Sequence, residues 1–491
     1  MVNKDENSQK PTWMQTPTNL RDKLQLNVSR LTNGFIKSPF FIRSLQYHRS
    51  KDSDVRRESE IEEDQKAYFW SVTSIEYYTP EFINNLERGL ANLKAAQGHW
   101  STNPLGSYAK EYRGSVGSSF ELHLSIPTAD SFTNIGHLSE LPKFCSSAQG
   151  SVINITPSLT ALIITFFVSD EQREQLNAKV HQTYPVKLEE LEKGAIQAND
   201  SRAQQRKIVE TFKQQLASQI DGWFSSECPG VYAIANRERP VCFTVSTGSI
   251  VPYFSEKPRS SILDRLDMTD SAFVFRPIKT SVKVKQDAIF FSPSVFHDRG
   301  NYSYICGSDT SFDRLDSKHW GSDSVAPFRY LDEITQKTLG MWWCKDLLRM
   351  FRREAVGVRD RMHQTMDTLF PMSSLSSLQK EMARLSEGAT IANDLKTYLN
   401  RSSHFFEFDA FLFNSRDDTD QKSIKMIFKE SVDEECELTV RELSELHSHI
   451  ISQSNIASSR QSLKLQYLVI ILSIVAVIAS LVSLLFAAQR V

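Results

Sequence analysis

The chain has 491 residues, with 57 Lys and Arg against 59 Asp and Glu; a net charge of −2 gives no global field favouring nucleic acid, so no nucleic-acid partner is expected. Its length suffices for two to three domains. Cys145, Cys228, Cys242, Cys306, Cys344 and Cys436 are scattered without paired spacing, as expected of reduced thiols, and the start MVNKDENSQKPTW lacks the apolar core of a secretory signal.

Residues 1–66 are polar and finish in the mixed-charge run RSKDSDVRRESEIEEDQK, so a flexible segment is expected, with SPFFIRSL (Ser38 to Leu45) its one short apolar patch. Order is expected to begin at YFWSVTSIEYY, a β-branched and aromatic run that reads as a strand. A helix should follow, with Thr79 as N-cap, Pro80 at its first position, and Phe82, Leu86, Leu90 and Leu93 on one face. SSFELHLSIP alternates with period two and reads as a half-buried strand; SLTALIITFFVSD is a continuous apolar run of strand length ending in Ser169 and Asp170 as helix caps. Polar helix is expected from Glu171 to about Phe224, interrupted at Pro185, with Ile208, Phe212, Leu216, Ile220 and Trp223 forming one buried face. Strands return in PVCFTVSTGSIVPYF, SAFVFRPI and DAIFFSPSVF, so residues 67–330 form a mixed α+β or α/β cytosolic domain.

A helical stalk is expected over 331–466. Met341, Cys344, Leu348, Phe351, Ala355, Val358 and Met362 step by three and four, the seam of a coiled coil or bundle. A turn at Phe370 to Ser374 leads to a second seam, Leu375, Leu378, Met382, Leu385, Ala389, Ala392 and Leu399, and the two helices predict an antiparallel hairpin. HFFEFDAFLF fits strand and helix equally. A third long helix starts near Glu434 and contains no Pro or Gly before the closing apolar stretch, so it is expected to run on as one rod.

Residues 467–488 read as a transmembrane helix, because Leu468 to Ala488 carries no charge and matches the roughly 30 Å of a bilayer's hydrocarbon layer. Only Gln489, Arg490 and Val491 follow, a tail-anchor arrangement, and Arg460 with Lys464 against Arg490 places the N-terminal bulk in the cytoplasm. Ser473, Ala476, Ser480, Ser483 and Ala487 recur every three or four residues, a small-residue stripe suited to helix association in lipid, or to lining a hydroxyl-rich pore in an oligomer. The stripe continues backwards through Ser448, Ser452, Asn455, Ser459, Ser462 and Gln466; a merely serine-rich segment gives the same pattern.

No phosphate loop, dinucleotide fingerprint, zincin motif, Cys-x-x-Cys pair or nucleophile elbow is present, and no cofactor is expected. Asp313, Asp316 and His319 would share a helix face as ligands for a divalent metal, though a solvated loop explains them as well. His297, Asp298 and Arg299 follow a predicted strand, where ligand sites of α/β folds lie; a polar turn is the competing reading. His447 and His449, two apart on a helix, point to different faces. Lys345, Arg349 and Arg352 share a face suited to anionic lipid or phosphate, but the interspersed Asp346, Glu354 and Asp360 favour a solvated face with intrahelical pairs.

The order of parts, a mixed domain, a helical stalk and a C-terminal membrane helix, resembles the layout of CorA-type divalent-cation channels. Those have two spans joined by a Gly-Met-Asn loop and a basic tail, whereas this chain shows one span, no such tripeptide and only Arg490 beyond it, so the resemblance is one of layout. Taken together, the expectation is a tail-anchored, self-associating membrane protein whose cytosolic domain binds a ligand or protein partner. The alternatives are an ion-conducting oligomer and a membrane-tethered enzyme.

Overall fold

The computed structural model describes residues 67–93, 119–125, 141–185, 196–247, 326–366, 372–401 and 422–488, together with short strands at 96–97, 187–190, 273–277, 283–284, 290–292, 302–307, 312–314 and 410–413. These residues form a mixed α+β body from which one apolar helix emerges. The strands are β1 (Ala67–Tyr78), β2 (Ala96–Gln97), β3 (Ser119–Ser125), β4 (Cys145–Thr156), β5 (Leu159–Val168), β6 (Lys187–Glu190), β7 (Ile196–Asn199) and β8 (Val241–Thr247). After them come β9 (Phe273–Pro277), β10 (Lys283–Val284), β11 (Phe290–Ser292), β12 (Tyr302–Gly307), β13 (Phe312–Arg314), β14 (Ala410–Phe413) and β15 (Lys422–Ser423). The helices are α1 (Ile83–Leu93), α2 (Asp170–His181), α3 (Ser201–Glu227), α4 (Val231–Ile234), α5 (Ala326–Trp342), α6 (Cys344–Met366), α7 (Met372–Arg401) and α8 (Ile424–Ala488).

Among the described residues, the main sheet has the order β15-β14-β9-β11-β12-β8-β1-β5-β4-β3-β2. Its pairs are antiparallel except β12 with β8. The backbone of β1 is bonded on both sides, to β5 and to β8, which puts the first predicted strand at the middle of the sheet. The continuous apolar run of β5 is explained by its place: Leu162, Ile164, Phe166 and Val168 face one side, Leu159, Ala161 and Ile163 the other, and all are buried.

Helices cover both faces. On one, α1, α2 and α3 bury Leu86, Leu90, Leu176, Leu216, Ile220 and Phe224 against the sheet. On the other, α5 to α7 and the first part of α8 bury Leu331, Trp343, Leu347, Ile391, Phe428 and Val432 in a core that also holds Ile75, Tyr77 and Ile163. The helical region expected to begin a separate stalk at 331 therefore shares the sheet's own core. Only lower down do α6, α7 and α8 pack on one another alone, through Ala355, Val358, Leu385, Leu443, Leu446 and Ile450. Of the two predicted seams, Cys344, Leu348, Phe351, Ala355 and Val358 and, on α7, Leu385, Ala392 and Leu399 are buried within this chain, Met382 and Ala389 partly so, and the side chains of Met341, Met362, Leu375 and Leu378 lie outside the described ones.

Several local expectations are corrected. Thr79 closes the turn before α1 with its carbonyl, accepting from Phe82 N at 3.0 Å, while its hydroxyl has no hydrogen bond among the described residues; the helix starts only at Ile83. Ser169 makes no side-chain cap on α2, and Asp170 instead binds Arg173 one turn on. The polar helical stretch divides at 182–200, where β6 and β7 pair as a small separate hairpin, and the cap of α3 is Asp200, whose Oδ1 accepts from Ala203 N at 2.7 Å. Helix α7 begins at Met372, inside the predicted turn, and the Phe-rich piece ends in a strand, β14. The rod is longer than expected: α8 starts ten residues before Glu434 and runs for 65 residues, about 97 Å at 1.5 Å per residue.

Candidate functional site

A cleft of about 960 Å³ lies between α2 and α3. Its apolar lining comes from Leu176, which is buried, and from Ile208 and Phe212, which are partly buried against the core under the sheet's first face. Lys179, Arg202, Arg206 and Lys207 line the cleft; Asp200 is the one acid among the described lining residues and already caps α3, and Arg202, Arg206 and Lys207 are engaged by partners of their own. Neutral amides fill the spaces between, among them Gln172, Gln175, Gln204 and Gln215. One end is closed by the chain linking the helices: Gln204 Nε2 donates to Pro185 O at 2.7 Å, Gln205 Nε2 to Gln182 O at 3.1 Å, and Tyr184 N to Ser201 Oγ at 2.9 Å. A half-open trough with a greasy floor and a cationic rim can hold an acidic, partly apolar ligand.

Carboxylates whose affinity for the proton is raised by burial lie elsewhere, among them Glu76, Asp332 and Asp346. Glu76 of β1 is fully buried and accepts from Tyr77 N at 3.0 Å and Tyr232 N at 2.8 Å on Oε1, and from Ala233 N at 3.2 Å on Oε2. Arg239 closes on Oε2 through Nε at 3.0 Å and Nη2 at 2.5 Å, while its Nη1 reaches Asp221 Oδ1 at 2.8 Å. Burial raises the Glu76 carboxyl above its usual range, and Arg239 and the backbone donors offset part of this. The network ties the middle of the sheet to α3 and α4, a buried clamp with every oxygen occupied. Gly230 is needed beside it, since a Cβ there would stand 2.4 Å from Tyr77 O and 2.6 Å from Glu76 Cγ.

On the opposite face, Asp332 of α5 accepts from Ser71 Oγ at 2.5 Å and Thr244 Oγ1 at 2.9 Å, through Oδ1 alone. Burial pushes this carboxyl up to about 7, against the pull of the two hydroxyls. The described cysteines, Cys145, Cys228, Cys242, Cys344 and Cys436, are all free and buried, and burial raises Cys145, Cys228, Cys344 and Cys436 to about 12. Thiols so placed are packing groups, not nucleophiles.

The expected sites are placed as follows. His297, Asp298 and Arg299 lie outside the described residues, as do Asp316 and His319; Asp313 sits on strand β13. Among the described residues no group of three potential ligands could hold a metal ion. His447 borders a groove with α7 and His449 one with α6, so the two do face apart. The basic face of α6 is half-buried, with one intrahelical pair, Arg349 with Asp346 at 3.9 Å, and further partners from another helix. Arg352 grips Glu442 with Nε at 3.0 Å and Nη2 at 2.7 Å and Glu435 with Nη1 at 2.5 Å, Arg349 Nε reaches Glu435 at 3.2 Å, and Lys345 binds Ser431. These partners are on α8, far along the chain, which spacing within one helix could not reveal.

At the far end of α8, Ser462–Ser480 is long and apolar enough to cross a membrane, and none of it is buried. Ser473, Ala476 and Ser480 are exposed on it, and Ser483 and Ala487 belong to the same helix. The Ser473 hydroxyl donates to Val469 O and that of Ser480 to Ala476 O, each at 2.8 Å, so both donors are satisfied one turn back. Compared with family models, with curated proteins and with solved structures, the chain matches none. The cleft's own cations were missed in the sequence, although Arg202, Arg206 and Lys207 in SRAQQRK mark a basic patch at helical spacing.

Proposed function

We propose that this chain is a single-pass membrane-anchored binding protein: its α+β body takes a ligand or partner in the α2–α3 cleft, and α8 joins that body to the bilayer. The observation that carries the reading is the division of α8. Phe428, Val432, Cys436 and Leu443 are core residues, whereas Leu468, Ile471, Val475 and Ile478 of the same helix are more than half exposed. A row of bare apolar side chains on a helix is stable in hydrocarbon and costly in water, about 25 cal/mol per Å² of apolar surface. Because the helix has no interruption, the body is held to the span by a continuous rod, not a slack tether. Arg460 and Lys464, beside the span on the body's side, support a cytoplasmic body.

Self-association through Ser473, Ala476, Ser480, Ser483 and Ala487 belongs to the same proposal, since small residues let helix backbones approach closely. Binding is preferred to catalysis because the carboxyls that burial raises, Glu76, Asp332 and Asp346, do not line the cleft. Alkaline carbonate extraction of membranes tests the anchor. The full chain is expected to stay in the pellet and a chain lacking residues 468–491 to be released; a truncated chain that stays, or a full chain that leaves, would sink the reading. Light scattering in detergent tests association: Ser480→Leu should lower the oligomeric state of the full chain.

A further inference from the structure

Where α8 leaves the body, its charge becomes one-sided. Between Leu446 and Val491 the sequence has no Asp or Glu, and its Lys and Arg residues are Arg460, Lys464 and Arg490. The nearest carboxylate along the helix, Glu445, is 15 residues before Arg460, about 22 Å away at 1.5 Å per residue. Pairing at i+3 or i+4 within α8 is therefore closed to Arg460 and Lys464. Lys464 is exposed, and its neighbours Leu463 and Leu465 are more than half exposed. These leucines flank it at about 100° on either side of the helix, so burying them in hydrocarbon brings the Cα of Lys464 to the edge of the apolar layer. The direction of the helix then decides where the ammonium goes. Helical side chains lean toward the N-terminal end, and for α8 that end lies in the body, outside the bilayer. The four-carbon stem of Lys464 accordingly climbs out of the hydrocarbon and lets Nζ reach the headgroups. Tyr467, also more than half exposed, lies one turn deeper, and Arg460 one turn nearer the body. At 100° per residue the three positions fall within about 60° of the helix circumference.

We propose that Lys464, Arg460 and Tyr467 bind the headgroup of an anionic phospholipid in the leaflet on the body's side. Phosphate oxygens are the acceptors at that level, and a cation with no carboxylate beside it takes them in charge-assisted hydrogen bonds. Tyrosine suits the same depth, its ring in the apolar layer and its hydroxyl among polar groups. A choline headgroup brings its own cation and an anionic one does not, which gives the site its selectivity. Lipid held in this way fixes the depth and rotation of α8, and through the unbroken helix the face that the body turns to the membrane.

This inference rests on the apolar end of α8 spanning the bilayer, and the test separates the two. The full chain is reconstituted in phosphatidylcholine vesicles carrying a trace of spin-labelled phosphatidylcholine or spin-labelled phosphatidylserine, and electron spin resonance measures the share of each label immobilised at the protein. At low salt phosphatidylserine is expected to associate about fivefold more strongly than phosphatidylcholine, which is what one cation is worth against an anionic headgroup. Replacing Arg460 and Lys464 together with Gln should bring the two lipids level while the body's melting midpoint stays unchanged. Lys464→Arg should keep the preference. Inorganic phosphate added at matched ionic strength should leave it intact as well; its loss there would make this a site for free phosphate and overturn the lipid assignment. Equal association of the two labels with the native chain overturns the site and leaves the span standing, as does a preference that survives the double substitution. No immobilised label of either kind overturns span and site together.

Discussion

The two ends of α8 differ in how their apolar residues are arranged and meet opposite fates. Over 424–450 the apolar residues form a stripe: Phe428, Val432, Cys436, Leu443, Leu446 and Ile450 are buried, with charged residues on the remaining faces. Over 462–480 the helix is apolar all round and nothing in the chain covers it. Periodicity, more than hydrophobicity, separates a helix meant for a protein core from one meant for lipid. Polar atoms follow the same division. In the body they find partners far away in sequence, as Ser71 does in Asp332 and Arg352 in Glu435. Over 462–480 Ser473 and Ser480 turn to carbonyls of their own helix, one turn back.

The contrast can be broken most forcefully at its buried end. Phe428 packs on Trp342 with centroids 4.3 Å apart, and Phe428→Ala is expected to cost the body about 3–5 kcal/mol, read as a lowered denaturation midpoint in detergent. Next in size, Arg352→Ala leaves the buried Glu435 with only Arg349 and should cost about 2 kcal/mol, more than Glu442→Ala, since Glu442 is one-third exposed. A double-mutant cycle over Arg352 and Glu435 that gives no coupling would remove the claim that these pairs fasten α8 to α6.

The third effect depends on pH. An unfolded aspartate loses its proton near pH 4, whereas Asp332 in the folded body holds it up to about 7. Between these values the folded state binds more protons, so this group makes stability fall as pH rises, by up to about 1.4 kcal/mol per pH unit. Asp332→Asn keeps an oxygen for Ser71 and Thr244 and should flatten that slope, checked by melting both proteins at pH 5 and pH 7.5. The smallest effect is expected in the span. Ser480→Ala removes a hydroxyl bonded only to its own helix, so the body's midpoint should move by less than about 0.5 kcal/mol; a larger shift would mean that the span is coupled to the body's stability.

Much of the architecture was legible because it follows from local period. The strand at 67–78, the doubly buried strand at 159–168, the face of Leu216, Ile220 and Trp223, and the unbroken final rod were all expected, and all were found. Caps were less legible: Thr79 and Ser169 have the right chemistry, but their hydroxyls make no cap, since the turn at Phe82 and the Asp170–Arg173 pair arrange those ends otherwise. The cleft was not foreseen, because its walls, 172–179 and 202–215, become neighbours only when both helices lie on the sheet.

The sequence by itself determined where an apolar helix of membrane length lies, that the chain carries almost no net charge, and which short runs become strands and helices; each depends on residues adjacent or one turn apart. The tertiary structure alone decided which strands neighbour β1, that the helices after 326 cover the sheet's second face, and that Arg349 and Arg352 of α6 meet carboxylates of α8. It also put Phe69 of β1 against Phe212, a residue that lines the α2–α3 cleft. Pairings of this kind join residues tens to hundreds of positions apart, and no period in a sequence encodes them.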